Sequence, residues 1–265
     1  MTERADRIIA ALRSGHDRVA DRVRALPDED LTRPSGASAW DVSHVLSHLG
    51  SGAEIGLAAL DAAVTGGPAP TGDFNKQVWA RWDAMAAAEH AAGFLTANEA
   101  LLSRWESLDA GTRRTLRVDL GFLPAPADSA TVAGLRLSEF AFHAWDVEAA
   151  FNPEAKLAPE AVELLLDQAD LLFGFIAKPD ALASRPVSVA VRTSEPDRTF
   201  GFAIGERAEL LPDAPAAADA VLSAPAEWWL RLTVGRHAPQ YTPESVALTG
   251  DGVTLDDLRR VFPGF

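Results

Sequence analysis

Apolar positions recur at helical spacing through the first part of the chain. In "RADRIIAALRSGHDRVADRVRAL" (4–26), Ile8, Ile9, Leu12, Val19, Val23 and Leu26 fall at helical intervals, and "PDEDLTRPSG" interrupts the pattern. A second helix is expected from about Ser38, read as its N-cap with Asp41 three residues later, to about Val64. After the loop "TGGPAPTGD" a third long helix is expected over roughly 74–107, bent near Gly93. A fourth follows "GFLPAPADSAT", around 132–151. Four helices of this length joined by loops predict an antiparallel, up-and-down bundle over residues 1–155.

A fifth helix is expected over 158–178, with Pro159 near its first position. Beyond it the period changes. "PVSVAVRT" and "RTFGFAIG", separated by "SEPD", read as a hairpin; "AELLPD", "DAVLSA" and "SVALTG" read as further strands. "AEWWLRLTVG" reads as a helix, with at least one of Trp228 and Trp229 in the core, and "TLDDLRRVF" as a short helix capped by Thr254 and Asp257. The expected architecture is therefore α+β in two domains, a helical bundle over 1–155 and a small α+β domain over 156–265. There is no internal repeat and no glycine-rich phosphate loop.

Composition narrows the chemistry. The chain has 265 residues, 48% apolar and 23% charged, the profile of a globular protein with a substantial core. Its net charge of −14 argues against nucleic acid or an anionic membrane as its main partner. The N-terminal residues are charged from the third onward and no apolar run reaches the ~18 of a spanning helix, so a cytoplasmic protein is expected. Cysteine is absent, which excludes disulfides, a cysteine nucleophile and thiolate metal sites. Any metal must be held by carboxylates and by the six histidines, of which His16, His90 and His237 read as surface or packing residues.

Two helices carry polar stripes. In the fourth, Arg136, Glu139, His143 and Asp146 fall within about an 80° arc of an otherwise apolar helix. In the second, Asp41, His44, His48 and Ser51 share a stripe opposite Val42, Val45, Leu46, Leu49 and Leu57. Each stripe is either a solvated face or half of an interior site. If the two face each other, one histidine of the second helix joins Glu139 and His143. Two imidazoles and a carboxylate suit zinc or another divalent ion with a position left open. Asp146 or Arg136 would then orient the ligands. Periodicity does not say which way the stripes point.

The segments "SAWDVSHVLSHLG", "LSEFAFHAWDVEAAF" and "DAVLSAPAEWWLRLTVGRHAP…VALTGDGVTLDDLRRVF" resemble the mycothiol-dependent maleylpyruvate isomerase branch of the DinB-like metal-binding bundles. The resemblance implies a DinB-like four-helix bundle followed by a sterol-carrier-like domain covering one side of the site. It implies metal ligands His48 (eight residues after Trp40), Glu139 and His143, with zinc as the metal and mycothiol as cosubstrate. In that family a functionally important arginine lies in the C-terminal domain; Arg236 is the candidate by its place in "GR", and Arg81 is a second candidate for binding substrate anions.

The expected activity is addition of a small thiol to a small electrophile. Nothing in the sequence identifies the diacid of the isomerase, so thiol S-transfer ranks above isomerisation. Two other classes stay open. One is a non-catalytic small-molecule binding protein with a structural metal, His44 completing a set of four ligands. The other is a metal-dependent hydrolase.

Overall fold

The computed structural model describes residues 2–182 and 186–264 and divides the chain into two compact units, Met1–Asn152 and Pro153–Phe265. The protein is α+β, its strands and short helices concentrated in the second unit.

In the first unit, α1 (Thr2–Ala25), α2 (Val42–Thr65), α4 (Ala87–Ser107) and α6 (Ser129–Ala149) are the long helices. α2 packs along α4 and α1 along α6, while α1 also meets α4 and α2 meets α6, so each helix has two neighbours among the others. The apolar stripe of α1 turns inward, with Ile8, Ile9, Leu12, Val19 and Val23 all buried. Shorter pieces complete the unit: α3 (Gly72–Asp83), α5 (Ala110–Thr115), and a two-stranded ribbon of β1 (Arg117–Val118) and β2 (Ala127–Asp128).

Two boundaries in this unit differ from the sequence pattern, each for a local reason. α2 is capped by Asp41, whose carboxylate accepts the His44 N–H; Ser38 sits in a loop closed by bonds from the Ser35 hydroxyl and N–H to the Trp40 carbonyl. The single helix expected over 74–107 is two helices broken at residues 84–86. There the Glu89 carboxylate accepts the Ala86 N–H, and His90 donates from Nε2 to the Trp82 carbonyl that ends α3. Gly93 lies inside the continuous α4 (Ala87–Ser107). It clears space for Trp82, whose ring would lie 2.8 Å from a Cβ at that position.

In the second unit, α7 (Pro159–Leu166) and α8 (Asp170–Ile176) replace the one helix expected over 158–178. The intervening turn tightens into i→i−3 bonds, from Gln168 to Leu165 and from Ala169 to Leu166, which end the α-helical ladder. Five strands follow: β3 (Val187–Ser194), β4 (Arg198–Ile204), β5 (Ala208–Leu211), β6 (Ala220–Pro225) and β7 (Ala247–Gly250), in the order β5-β4-β3-β6-β7. The β3–β4 hairpin is antiparallel, in register from Val187 opposite Ile204 to Thr193 opposite Arg198. β3 and β6 pair in parallel, and β7 returns antiparallel to β6. Both tryptophans of α9 (Ala226–Thr233) are buried. α10 (Leu255–Val261) carries the Thr254–Asp257 capping box.

Candidate metal centre

The polar stripes of α2 and α6 meet. His48 comes from α2; Glu139 and His143, one turn apart on the same face, come from α6. His48 Nε2 lies 2.9 Å from Glu139 Oε2, and His143 Nε2 lies 3.9 Å from the same oxygen. One donor atom from each of the three residues falls within 4.8 Å of the others. The side chains of His48 and Glu139 are about half exposed while His143 is nearly covered, so the group sits at an accessible edge of the interior.

The neighbours of this group fix its chemistry. Asp146, wholly buried, holds His143 Nδ1 at 2.8 Å. An ionised carboxylate only accepts, so the His143 proton belongs on Nδ1 and the lone pair on Nε2, facing Glu139. The loop before α2 closes against Asp146: the Gly36 N–H donates 2.8 Å to the Asp146 carbonyl, and a Cβ on Gly36 would lie 2.7 Å from the Trp145 ring. That loop delivers Trp40, whose ring centre stands 5.1 Å from the His48 ring and 5.6 Å from the His143 ring.

Burial pushes the Glu139 carboxyl upward, but the hydrogen bond with His48 and the electrostatic pull of the His143, His48 and Arg136 side chains outweigh it. The net result holds the group at about 2. Two imidazoles, one of them locked in the tautomer a metal needs, and one ionised carboxylate form a donor set that fits a zinc-type ion with three protein ligands.

The other candidates lie elsewhere. His44 Nδ1 is 2.7 Å from Asp41 Oδ1, its side chain is largely exposed, and it is not part of the three-donor group. Arg81 is ion-paired with Glu54, which also accepts the Trp82 indole N–H at 3.0 Å. Arg236, in the second unit, donates from Nη1 to the Val234 carbonyl at 3.0 Å, and its own carbonyl accepts from the buried Arg231. Arg136 reaches inward from α6 to the Leu49 carbonyl and to Asn98 Oδ1.

His16, His90 and His237 are buried, each with a side-chain hydrogen bond, and lie outside the three-donor group. Asn98 and its partner His16 have no place in the polar stripes. Their sequence signal was a polar residue on an apolar stripe: His16 falls among Leu12, Val19 and Val23, and Asn98 between Phe94 and Leu102.

The mycothiol maleylpyruvate isomerase N-terminal domain family matches residues 12–148, just over half of the chain. The fold is similar to the crystal structure of a mycothiol-dependent maleylpyruvate isomerase, with a TM-score of 0.63 at 13% identity and 92% of each chain covered. A histidine-to-alanine mutant of that enzyme gives the same values. No curated protein sequence matches the chain. Among the described residues, no helix is long and apolar enough to cross a membrane. By its family match, the chain belongs to the mycothiol maleylpyruvate isomerase family.

Proposed function

We propose that this protein is a cytoplasmic, thiol-dependent isomerase that adds mycothiol reversibly to an electron-poor double bond, at a zinc centre held by His48, Glu139 and His143. The observation that carries this reading is the convergence of those three donors within 4.8 Å. Three donors, with His44 turned away to Asp41, favour an open catalytic site over a closed structural one. In this reading the first unit is a DinB-like four-helix bundle of α1, α2, α4 and α6, and the second a sterol-carrier-like domain.

When bound, zinc or a similar dication supplies the charge that keeps a thiol of ordinary pKa ~8.5 in its thiolate form. The chain's own residues do the rest of the positioning. Asp146 keeps the His143 proton on Nδ1 and so its Nε2 lone pair toward the centre. Glu139 stays ionised through the neutral range. Trp40 limits the tilt of both imidazoles. Arg236 and Arg81 are the proposed partners of a substrate carboxylate, and Arg81 must exchange Glu54 for it.

The reaction balances without an oxidant. The thiolate sulfur bonds one alkene carbon, and the π pair moves onto the conjugated carbonyl. The former double bond then rotates as a single bond. Return of the pair restores the alkene and expels the thiolate. S-transfer shares the first step and ends with protonation of carbon instead of expulsion. The family match moves isomerisation ahead of S-transfer.

Elemental analysis of untagged protein tests the centre. About one equivalent of zinc or a similar ion is expected, sharply reduced in His48→Ala and Glu139→Ala. Turnover of an electron-poor alkene only when mycothiol is added supports the isomerase. Hydrolysis of an activated ester without thiol favours a hydrolase, and metal without turnover favours a binding protein. Wild type that neither contains nor takes up metal overturns the proposal.

A further inference from the structure

His48 and Glu139 stand on different helices, so their 2.9 Å approach depends on what sets the spacing of α2 and α6 at that level. Arg136, one turn before Glu139 on α6, bridges the gap. Its Nη2 donates 2.8 Å to the carbonyl of Leu49, the residue after His48, and 2.7 Å to Oδ1 of Asn98 on α4. Gly52 leaves room for the guanidinium, since a Cβ there would lie 3.2 Å from Nη1.

The direction of every further bond follows from arginine, which only donates. Asn98 accepts at Oδ1, so Nδ2 is its donor, and it reaches His16 Nδ1 on α1 at 2.9 Å. His16 Nδ1 is therefore an acceptor. Its proton sits on Nε2, facing Glu99 Oε2 at 3.4 Å, and Glu99 is held from outside by Arg13 at 2.6 Å. His16 and Asn98 are almost wholly buried, at 1% and 2% exposure. The row thus joins all four long helices through the interior and surfaces only at Glu99 and Arg13.

A hydrogen-bonded ion pair does not account for it, although Arg136 and Glu139 attract each other across one turn of α6. Among the described residues Arg136 hydrogen-bonds no carboxylate, and its Nε is buried without a partner. A buried cation with unsatisfied capacity is costly to keep, and well-packed apolar residues are often at least as stable.

We propose that Arg136, Asn98 and His16 form a positioning chain whose task is to fix the spacing of His48 and Glu139 and thereby the affinity of the centre for its metal. The inference rests on the metal reading above.

Full-length wild type, Asn98→Leu and Leu60→Ala, each stripped of metal, are titrated with Co2+. The visible spectrum of the loaded protein and the thermal midpoint are recorded in parallel. Leu60 is buried in α2, about three turns from His48, and its truncation lowers stability without touching the chain. The expected result is that Asn98→Leu binds Co2+ about tenfold or more weakly with an altered spectrum, while Leu60→Ala lowers the midpoint and leaves affinity and spectrum unchanged.

If Asn98→Leu does not fold, Arg136→Lys takes its place; it keeps the charge, but its shorter side chain draws the donor back from the Leu49 carbonyl and Asn98 Oδ1, and it is expected to weaken Co2+ binding in the same way. Wild-type affinity and spectrum in the substituted protein overturn the positioning chain and leave the metal centre standing. Wild type that binds neither Co2+ nor Zn2+ overturns both.

Discussion

His143 Nδ1 lies 2.8 Å from Asp146 Oδ2, and Asp146 is completely buried one turn further along the same helix. A buried carboxylate this close dictates which imidazole nitrogen carries the proton, and so which one offers its lone pair to the centre. Asp146→Asn keeps the shape but removes the charge, and its amide offers the imidazole a donor as well as an acceptor. The expected outcome is a loss of about tenfold in Zn2+ affinity with far-UV circular dichroism unchanged, measured by competition against a chromophoric chelator. Undiminished affinity in the variant would show that Asp146 has no part in orienting His143.

Trp82 is clamped between glycines of two helices. A Cβ on Gly50 of α2 would overlap the indole, and one on Gly93 of α4 would lie 2.8 Å from it, so the edge of the ring cannot escape one glycine by shifting toward the other. Gly50→Ala is therefore expected to destabilise the protein by about 1–3 kcal/mol, the range for overpacking a core. Urea unfolding measures it. Adding Trp82→Leu should remove most of the penalty of the alanine, and equal costs in the two backgrounds would exclude the clash as the cause.

Which parts of this fold were readable in advance follows from what periodicity encodes. The inward stripe of α1 and the alternation in β3 and β4 were legible because each reports one buried face. The break at residues 84–86 was not. The contacts made there are the donation from His90 to the Trp82 carbonyl, across the break itself, and the Glu89 cap on the Ala86 N–H, while the residues at the break are good helix formers. The parallel pairing of β3 with β6 was equally hidden, since no short-range signal specifies a crossover.

At the candidate site, helical spacing placed Glu139 and His143 on one stripe and His44 and His48 on another, but a wheel gives angles, not neighbours. Family resemblance, not periodicity, separated His48 from His44. In the structure that difference corresponds to Asp41, which caps α2 and engages His44 at its outer end.

Two buried histidines make the fold sensitive to acid. Burial lowers the proton affinity of His16 in the first unit and of His237 in the second, in each case from an ordinary value of 6.5. The unfolded chain therefore binds more protons than the folded one as pH falls below 6.5, and stability falls with it. Their contribution is fully present above 6.5 and is lost as pH drops toward the lowered folded values. For metal-free protein in EDTA, the urea midpoint should be lower at pH 5.5 than at pH 7.5. His16→Gln should show a smaller difference between the two conditions, because glutamine does not titrate. An identical pH response in the variant would remove His16 from the acid-sensitive set.

The second unit depends on an ion pair deep in its core. Arg231 and Glu227, one turn apart on α9, are 2% and 7% exposed in their side chains and are joined by two bonds, of 2.8 and 2.9 Å. The guanidinium also donates to the carbonyls of Arg236 and Tyr241, and Glu227 accepts the Leu157 N–H at 3.3 Å. The pair therefore ties the segment before α7 and the loop after α9 to one helix. Removing a single partner strands the other charge where water does not reach it. Glu227→Leu is expected to cost about 3–5 kcal/mol. Arg231→Met combined with Glu227→Leu removes both charges and should cost less than either single change, although it frees the Arg236 and Tyr241 carbonyls. Thermal unfolding of the four proteins of this cycle decides the matter: a double variant less stable than both singles would mean that the carbonyl bonds, and not the paired charges, hold this region together.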